Sequence, residues 1–372
     1  MDRKNISKDQ VPTVAIVSPF PPPYGGMALQ AEKLYKNLTA SGIKSFCIKA
    51  NVSFPRFLRF LEKIKGVRTI VRSIIFTMNL LGLSRATVVH ILGASHWYFF
   101  LVVAPSIMTA HLMNKKIILN YRGGEAEEFL DKWGFLAIPL LKKAHTIAVP
   151  SIFLKEIFEK VVKREVIILP NLIDLEIFQY RERATLKPVI VVSRQLEPRY
   201  NIACALKAFG IIKEVYPAAQ LKIAGTGSEE QKLKALLQEM SLQNVYFLGA
   251  LSHQELDHVY NECDIMVNPA NSDNFPGSIL EAFACGLPVV TTRVGGIPFM
   301  VKDGETGIMV APDDHEGLAK GVISILQNPA LAKSFSVNGR KVAEEYSWVK
   351  IKKIFLGMYG MDDRKTSPSL YV

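Results

Sequence analysis

The chain has 372 residues, 49% of them hydrophobic and 21% charged, which is enough to bury a full core and excludes a disordered or low-complexity protein. That length fits two domains or a little more. The net charge of +11 is unevenly spread: residues 1–186 hold 26 basic and 14 acidic side chains, a net of +12, and residues 187–372 hold 19 and 20, a net of −1. A basic half asks for an anionic partner, whether nucleic acid, a phosphorylated ligand or anionic lipid.

Taken in order, VPTVAIVSP (11–19) reads as a buried strand, a β-branched run bounded by prolines. The loop FPPPYGGM and a helical pattern to about Gly42 follow. Further strands are predicted at 44–50, 87–92, 115–121, 145–150 and 165–170, with helical stretches between them. The pattern then restarts with strands at 188–194, 221–225, 245–249, 263–269, 288–292 and 307–310. Strands that are apolar throughout and alternate with helices imply parallel sheets covered on both faces. The polar, charge-rich piece Gln179–Lys187 divides the two series and sets the expected boundary. The domains expected are 1–183, 184–345 and a closing helix and tail at 346–372. Two Rossmann-like domains in tandem would leave a cleft lined by two sets of loops, suited to an enzyme with two substrates.

Compartment signals are few. Cys47, Cys204, Cys263 and Cys285 form no CxxC pair and read as buried thiols rather than disulfides or a zinc site. The N-terminus, MDRKNISKDQ, lacks the apolar core of a signal peptide. The most apolar stretch, Trp97 to Met113, is short for a span and contains Pro105 and His111, so it reads as a core helix. A cytoplasmic chain, soluble or peripherally bound, is the expectation.

The segment Asn268–Met309 is the most informative. A strand ends at Pro269, a polar loop follows, and a helix is predicted from Pro276–Gly277. Asp273 precedes that helix and Glu281 lies inside it, eight residues on. A helix start offers free N–H groups and a positive dipole end, which suit a diphosphate. A carboxylate one turn further in can accept from two ribose hydroxyls, and one before the helix can hold sugar hydroxyls.

This arrangement resembles the retaining family 4 glycosyltransferases of GT-B fold, whose signature is Glu-x7-Glu followed by Ala-x-x-x-Gly-x-Pro-Val-Val. The chain has Asp273, Glu281 and then Ala284-Cys285-Gly286-Leu287-Pro288-Val289-Val290. The likeness continues at Pro170-Asn171-Leu172-Ile173-Asp174 with Phe178, at Val192-Ser193-Arg194-Gln195-Leu196, at Ala224-Gly225-Thr226-Gly227 and at Phe247-Leu248-Gly249. It extends to Gly295-Gly296-Ile297-Pro298, to Asp303-Gly304-Glu305-Thr306-Gly307 and to Tyr346-Ser347-Trp348. The resemblance implies an α/β chain of GT-B fold, two Rossmann-like domains with parallel sheets facing across a cleft and a C-terminal helix returning to the first domain. Several positions depart from the pattern. The first acid is Asp273 rather than Glu, Pro276 replaces a usual glycine, Phe299 stands where an acid is common, and the phosphate-binding lysine after Arg194 is not in its usual place. Arg199 is the candidate for that second positive charge.

The roles implied are these. Arg194 clamps a donor diphosphate with its planar fork, where an ordinary ion pair is the alternative. Glu281 holds the ribose, and Asp273 orients the donor sugar unless it only caps a turn. The backbone around Asn274, Phe275, Pro276, Gly277, Ser278 and Ile279, with Gly25 and Gly26 of the first domain, faces phosphates. Gly225 and Leu248 border the nucleotide. Arg122 and Gly123 end another first-domain strand, and Arg122 serves either an acceptor phosphate or a structural ion pair. His90 and His96 are further catalytic candidates, since some members of that family carry a histidine in this loop. No metal cluster stands out, and the resemblance implies chemistry without metal or cofactor beyond the nucleotide-sugar co-substrate. Gly225-x-Gly227 lacks a third glycine and a suitably placed acid, which sets aside a dinucleotide-dependent dehydrogenase.

Residues 54–85 concentrate the charge: Arg56, Arg59, Lys63, Lys65, Arg68, Arg72 and Arg85 face Glu62 alone among interleaved apolar residues. Such a helix either lies on an anionic bilayer or packs on its own sheet with a solvated basic face. Nucleic acid fits poorly, because no helix-turn-helix, zinc-finger or RNA-binding signature occurs. The function expected is transfer of a sugar from a nucleotide-diphospho-sugar to a glycan or lipid-linked acceptor in envelope polysaccharide synthesis. The alternatives are a GT-B sugar-nucleotide epimerase and a non-catalytic binding protein of the same fold.

Overall fold

A computed structural model describes residues 12–22, 25–54, 60, 62, 64, 66–183 and 185–361. It contains two six-stranded sheets, and all the strand pairings within them are parallel. The first holds β1 (Val14–Ser18), β2 (Ser45–Lys49), β3 (Val88–Gly93), β4 (Lys116–Tyr121), β5 (Thr146–Val149) and β6 (Ile167–Ile168), in the order β2-β1-β3-β4-β5-β6. The second holds β7 (Val189–Ser193), β8 (Gln220–Ala224), β9 (Val245–Gly249), β10 (Ile265–Asn268), β11 (Val289–Thr292) and β12 (Gly307–Val310), in the order β12-β11-β10-β7-β8-β9. Every strand expected from the sequence is present. The pleat explains why these runs are apolar throughout. Ile190, Val192, Ile265, Val267 and Val290 enter one core cluster, while their neighbours Val191, Met266 and Val289 enter another. In each sheet the order reverses once, between β1 and β3 and between β7 and β10. Ligands of open α/β sheets sit beyond the carboxyl ends at such a reversal.

The chain divides into two compact units, Met1–Leu169 with Ile351–Val372, and Pro170–Lys350. This corrects the expected boundary near residue 183. The stretch 170–183 packs on the second unit through both apolar and polar side chains. Asn171 Nδ2 donates to the Phe275 carbonyl at 2.6 Å, and Phe178 is fully buried. The Arg183 guanidinium, 3% exposed, donates to the carbonyls of Tyr260, Cys263 and Cys285 at 2.8–3.0 Å and to Asp264 at 3.1 Å. The helix Trp348–Tyr359 begins in the second unit, and from Ile351 on it belongs to the first, as the resemblance implied. There Phe355 stacks on the His90 ring at 6.0 Å, and Tyr359 Oη shares a 3.0 Å hydrogen bond with His90 Nδ1.

Two apolar stretches differ in their burial. Trp97–Met113 is a largely core-packed run, as expected, but Val67–Arg85 is the one long and apolar enough, by length and composition, to cross a membrane among the described residues. The most apolar 18-residue window of this 19-residue run has a mean hydropathy of 1.2, and only 17% of that window is buried. Phe76, Leu80 and Leu83 anchor it in the core, while Ile70, Ile74, Met78 and Leu81 are 54–65% exposed. Arg56, Arg59, Lys63 and Lys65 lie outside the described residues. All four cysteines are free thiols; three are buried and Cys47 is half-buried.

Candidate functional site

At the reversal of the second sheet, loops after β7 and β10 bring two groups together that sequence reasoning treated separately. Arg194 follows β7 and is held by its N–H donating to the Ala224 carbonyl at 3.0 Å. That approach requires Gly225, whose φ is +141° and whose Cβ, if present, would lie 1.9 Å from the Arg194 oxygen. Asp273 follows β10. Its carbonyl accepts from the Gly296 N–H at 3.0 Å, and a Cβ on Gly295, at φ +50°, would meet that same oxygen at 2.0 Å. The two side chains form an ion pair, 10% and 12% exposed. Arg194 also donates to Ser278 Oγ at 3.3 Å, and the Asn274 N–H donates to Asp273 Oδ1 at 2.9 Å.

Burial raises the Asp273 carboxyl above its ordinary range, and Arg194 is the strongest opposing influence, with Arg199 a smaller one. Arg199 therefore lies near enough to be felt there. Its guanidinium sits 4.9 Å from the centre of the Tyr200 ring, over which Arg194 also lies, at 4.0 Å. Tyr200 is an unforeseen part of the site; aromatic faces favour planar cations and fix them.

The helix Gly277–Ala284 starts beside this pair. Pro276 stands at its N-cap, no side chain caps it, and the space beside Gly277 is open. The Ile279 N–H already donates to the Pro276 carbonyl at 3.2 Å. The N–H groups of Gly277 and Ser278, with the positive dipole end, are what this start offers an anion. Phe275 and Ile279 are core side chains, so they reach a ligand only through their backbone; Asn274 is buried as well. One turn in, Glu281 is 7% exposed. Tyr260 Oη donates to its Oε2 at 3.3 Å, and His253 Nε2 lies 3.7 Å from Oε1. Burial, and then Glu281, pushes the Tyr260 phenol well up. His253 and Tyr260 were missed from sequence. The capping box of Ser252 and Glu255 marks where their helix, His253–Glu262, begins, but not what it packs against. Leu248 is half-buried in β9, where the Gly225 N–H donates to the Gly249 carbonyl at 2.7 Å.

In the first unit, Gly25 and Gly26 open the helix Gly26–Ala40 after β1, and the space beside Gly26 is also open. Arg122 follows β4, with its N–H donating to the Gly93 carbonyl at 2.8 Å. Burial lowers its guanidinium to about 10. Gly123 packs against Ser95, whose Oγ shares a 2.6 Å hydrogen bond with Tyr121 Oη. His96 follows β3 with φ +56°, rare for a non-glycine residue, and its Nε2 lies 2.9 Å from Glu125 Oε2. Glu125 was not foreseen. His90, in contrast, leaves the candidate list. It is fully buried in mid-β3, both ring nitrogens are engaged by Asn120 and Tyr359, and burial, with a smaller push from Arg122, lowers it to about 3. Among the described residues no group of three or more His, Cys, Asp or Glu side chains could hold a metal ion.

Known proteins share this architecture. Residues 175–342 match the family model of glycosyl transferases group 1. A GDP-mannose-dependent monoacylated alpha-(1-6)-phosphatidylinositol monomannoside mannosyltransferase of Corynebacterium glutamicum is 34% identical over 169 residues, 43% of this chain and 44% of its own. The chain spans less than half the length of the curated relatives it matches first. The sucrose-phosphate synthase of Thermosynechococcus elongatus has a TM-score of 0.75 over 94% of this chain and all of its own, at 19% identity. HepE of Anabaena, solved with UDP and glucose, has a TM-score of 0.72 over 94% of this chain and 99% of its own, at 14% identity. At these identities the likeness establishes the fold: two Rossmann-like domains of GT-B type.

Proposed function

We propose that this chain, which carries a glycosyl transferases group 1 domain at residues 175–342, is a retaining glycosyltransferase that uses a nucleotide-diphospho-sugar. The observation that carries the reading is the convergence at one sheet reversal of Arg194, Asp273 and Ser278, with Glu281 buried one turn into the same helix. Glu281 holds the ribose hydroxyls, and its polar neighbours His253 and Tyr260 keep the carboxylate in place. Arg194 and the N–H groups of Gly277 and Ser278 hold the diphosphate. The incoming phosphate takes over part of the Arg194 guanidinium, and Asp273 is released toward hydroxyls of the transferred sugar.

The chemistry rests on charge. As the glycosidic bond to the diphosphate breaks, negative charge grows on the leaving oxygen, and fixed donors aimed at it lower the barrier. In retention by front-face displacement, that same oxygen accepts the proton of the acceptor hydroxyl, so no protein base is needed. The scheme routes no step through a metal or another cofactor. HepE was solved with UDP and glucose, which supports a nucleotide-sugar donor, and the named lipid substrate of the Corynebacterium enzyme supports a glycan or lipid-linked acceptor. An acceptor of envelope polysaccharide synthesis fits both. Calorimetry with UDP-, GDP- and ADP-sugars tests the reading: at least one binds, and Glu281→Ala or Arg194→Ala weakens it tenfold or more. Binding of none of them overturns it. Donor turnover without acceptor would assign the chain to the epimerases instead.

The same reading places the protein peripherally on the cytoplasmic face of a membrane. Ile70, Ile74, Met78 and Leu81 form an exposed stripe on a helical run that also carries Arg68, Arg72 and Arg85, the composition of a helix lying in an anionic interface. Spanning would pull Phe76, Leu80 and Leu83 out of the core, which favours lying in the plane. Co-sedimentation with phosphatidylglycerol vesicles, absent with phosphatidylcholine alone and lost in the Ile70→Glu, Ile74→Glu double variant, is expected. Equal binding to both vesicle types counts against it.

A further inference from the structure

We infer that the carboxyl edge of the first sheet holds a subsite for an uncharged sugar ring, with Trp97 as its platform and the His96–Glu125 pair as its hydroxyl ligands. The inference rests on the transferase reading and names the class of acceptor. Trp97 is 78% exposed, although tryptophan carries one of the largest apolar surfaces of any side chain. The fold does not need it there. Phe99, Phe100, Phe129 and Trp133 already form a ring cluster beneath, with centroids 5.1–6.0 Å apart. The His96 ring meets the same cluster edge-on at 5.8 Å from Phe129. The loop is therefore held from below, and an ordered ligand surface costs less to bind.

Position and strain agree. The segment Ser95–Tyr98 follows β3, which pairs with β1, so Trp97 stands at the order reversal of the first sheet. The left-handed backbone at His96 sets the residue immediately before Trp97, and such outliers gather at ligand sites. His96 and Glu125 remain 37% and 40% exposed while bonded to each other.

The local charge selects the ligand. Glu127 and Glu128, both exposed, adjoin Glu125 at the start of the helix Ala126–Leu141. Three carboxylates at this edge favour a neutral ring over a phosphate. A pyranose suits the site: its C–H face packs on an indole, and its equatorial hydroxyls donate to a carboxylate and exchange hydrogen bonds with an imidazole.

The test uses the full chain labelled with 5-fluorotryptophan. It holds three tryptophans, Trp97, Trp133 and Trp348, and loss of one 19F resonance in Trp97→Phe assigns the first. Trisaccharides of glucose, mannose, galactose and N-acetylglucosamine are titrated separately, with inorganic phosphate as the anionic probe. At least one sugar is expected to shift the Trp97 resonance. Measured by calorimetry, that binding weakens tenfold or more in Trp97→Ala and in Glu125→Gln and recovers in Trp97→Tyr, and phosphate leaves the wild-type resonance still. A Trp97 resonance moved by none of the four sugars, or moved by phosphate instead, overturns the inference. Donor calorimetry on the same samples separates the two readings. Donor binding that is intact in Trp97→Ala beside a silent Trp97 resonance removes the subsite and leaves the transferase standing. A sugar-responsive Trp97 in a chain that binds no nucleotide-sugar keeps the subsite and removes the transferase.

Discussion

In the second unit, Arg183 meets Asp264, Arg194 meets Asp273 and His253 lies beside Glu281, with all six side chains 12% exposed or less. The first unit also buries Lys33, but around its sheet much of the buried polarity is neutral. His90, Asn120 and Tyr359 bond to one another as neutral groups, as do Ser95 and Tyr121. Its counterpart pair at the sheet edge, His96 and Glu125, stays about 40% exposed. Burying a charge is costly unless a partner and hydrogen bonds accompany it. On the proposed reading the second unit receives a diphosphate, and charges fixed in advance need not reorganise when charge develops. A unit that reads sugar hydroxyls can work with rings and half-solvated polar groups.

Removing one member of a buried pair should give the largest effect. Arg183→Met leaves Asp264 buried and uncompensated, and denaturant unfolding should show a loss of about 3–5 kcal/mol. Pairing it with Asp264→Leu should restore most of that. A double variant no more stable than Arg183→Met would blur the contrast between the units. Next comes Arg194→Lys. It keeps the charge but loses the fork and the flat contact with Tyr200, and turnover should fall about 100-fold, on the order of 2.7 kcal/mol of barrier. The Trp97 resonance should respond to sugars as before. A third effect, gradual across the acid range, is in pH. The neutral form of His90 is favoured in the fold, whose pKa is lowered to about 3, whereas the unfolded chain takes up this proton near 6.5. Stability is then whole above about pH 6.5 and falls by up to about 1.4 kcal/mol per pH unit as pH drops from there toward 3. His90→Asn should flatten that slope in pH-dependent thermal unfolding. An unchanged slope would mean that the titration lies elsewhere.

The strands were legible because continuous β-branched runs bounded by proline and glycine admit few other readings. The positions of the two candidate donor carboxylates were legible because Asp273 and Glu281 stand either side of a helix start at a spacing set by local geometry. What escaped the sequence was mostly non-local. Tyr200, His253, Tyr260 and Glu125 become partners only when separate elements pack. The Arg183 strap escaped for a compositional reason: arginines that serve buried carbonyls look, in sequence, like those of a solvated linker. The exposed Val67–Arg85 run reads as less apolar than Trp97–Met113 because its arginines dilute its hydropathy, whereas Trp97–Met113 spends many of its apolar residues on the core.

The Ile173 N–H donates to the Tyr346 carbonyl at 3.1 Å, and Ile173 bridges to Ser347 in parallel. Entry to and exit from the second unit are thus stitched side by side, so that unit is an insert with a single seam in a chain whose first unit is discontinuous. Exchanging donor modules between relatives therefore means matching one junction, with both crossings cut together inside that stitch. A graft that moved only one of them would split a hydrogen-bonded pair and strand the closing helix with a foreign partner.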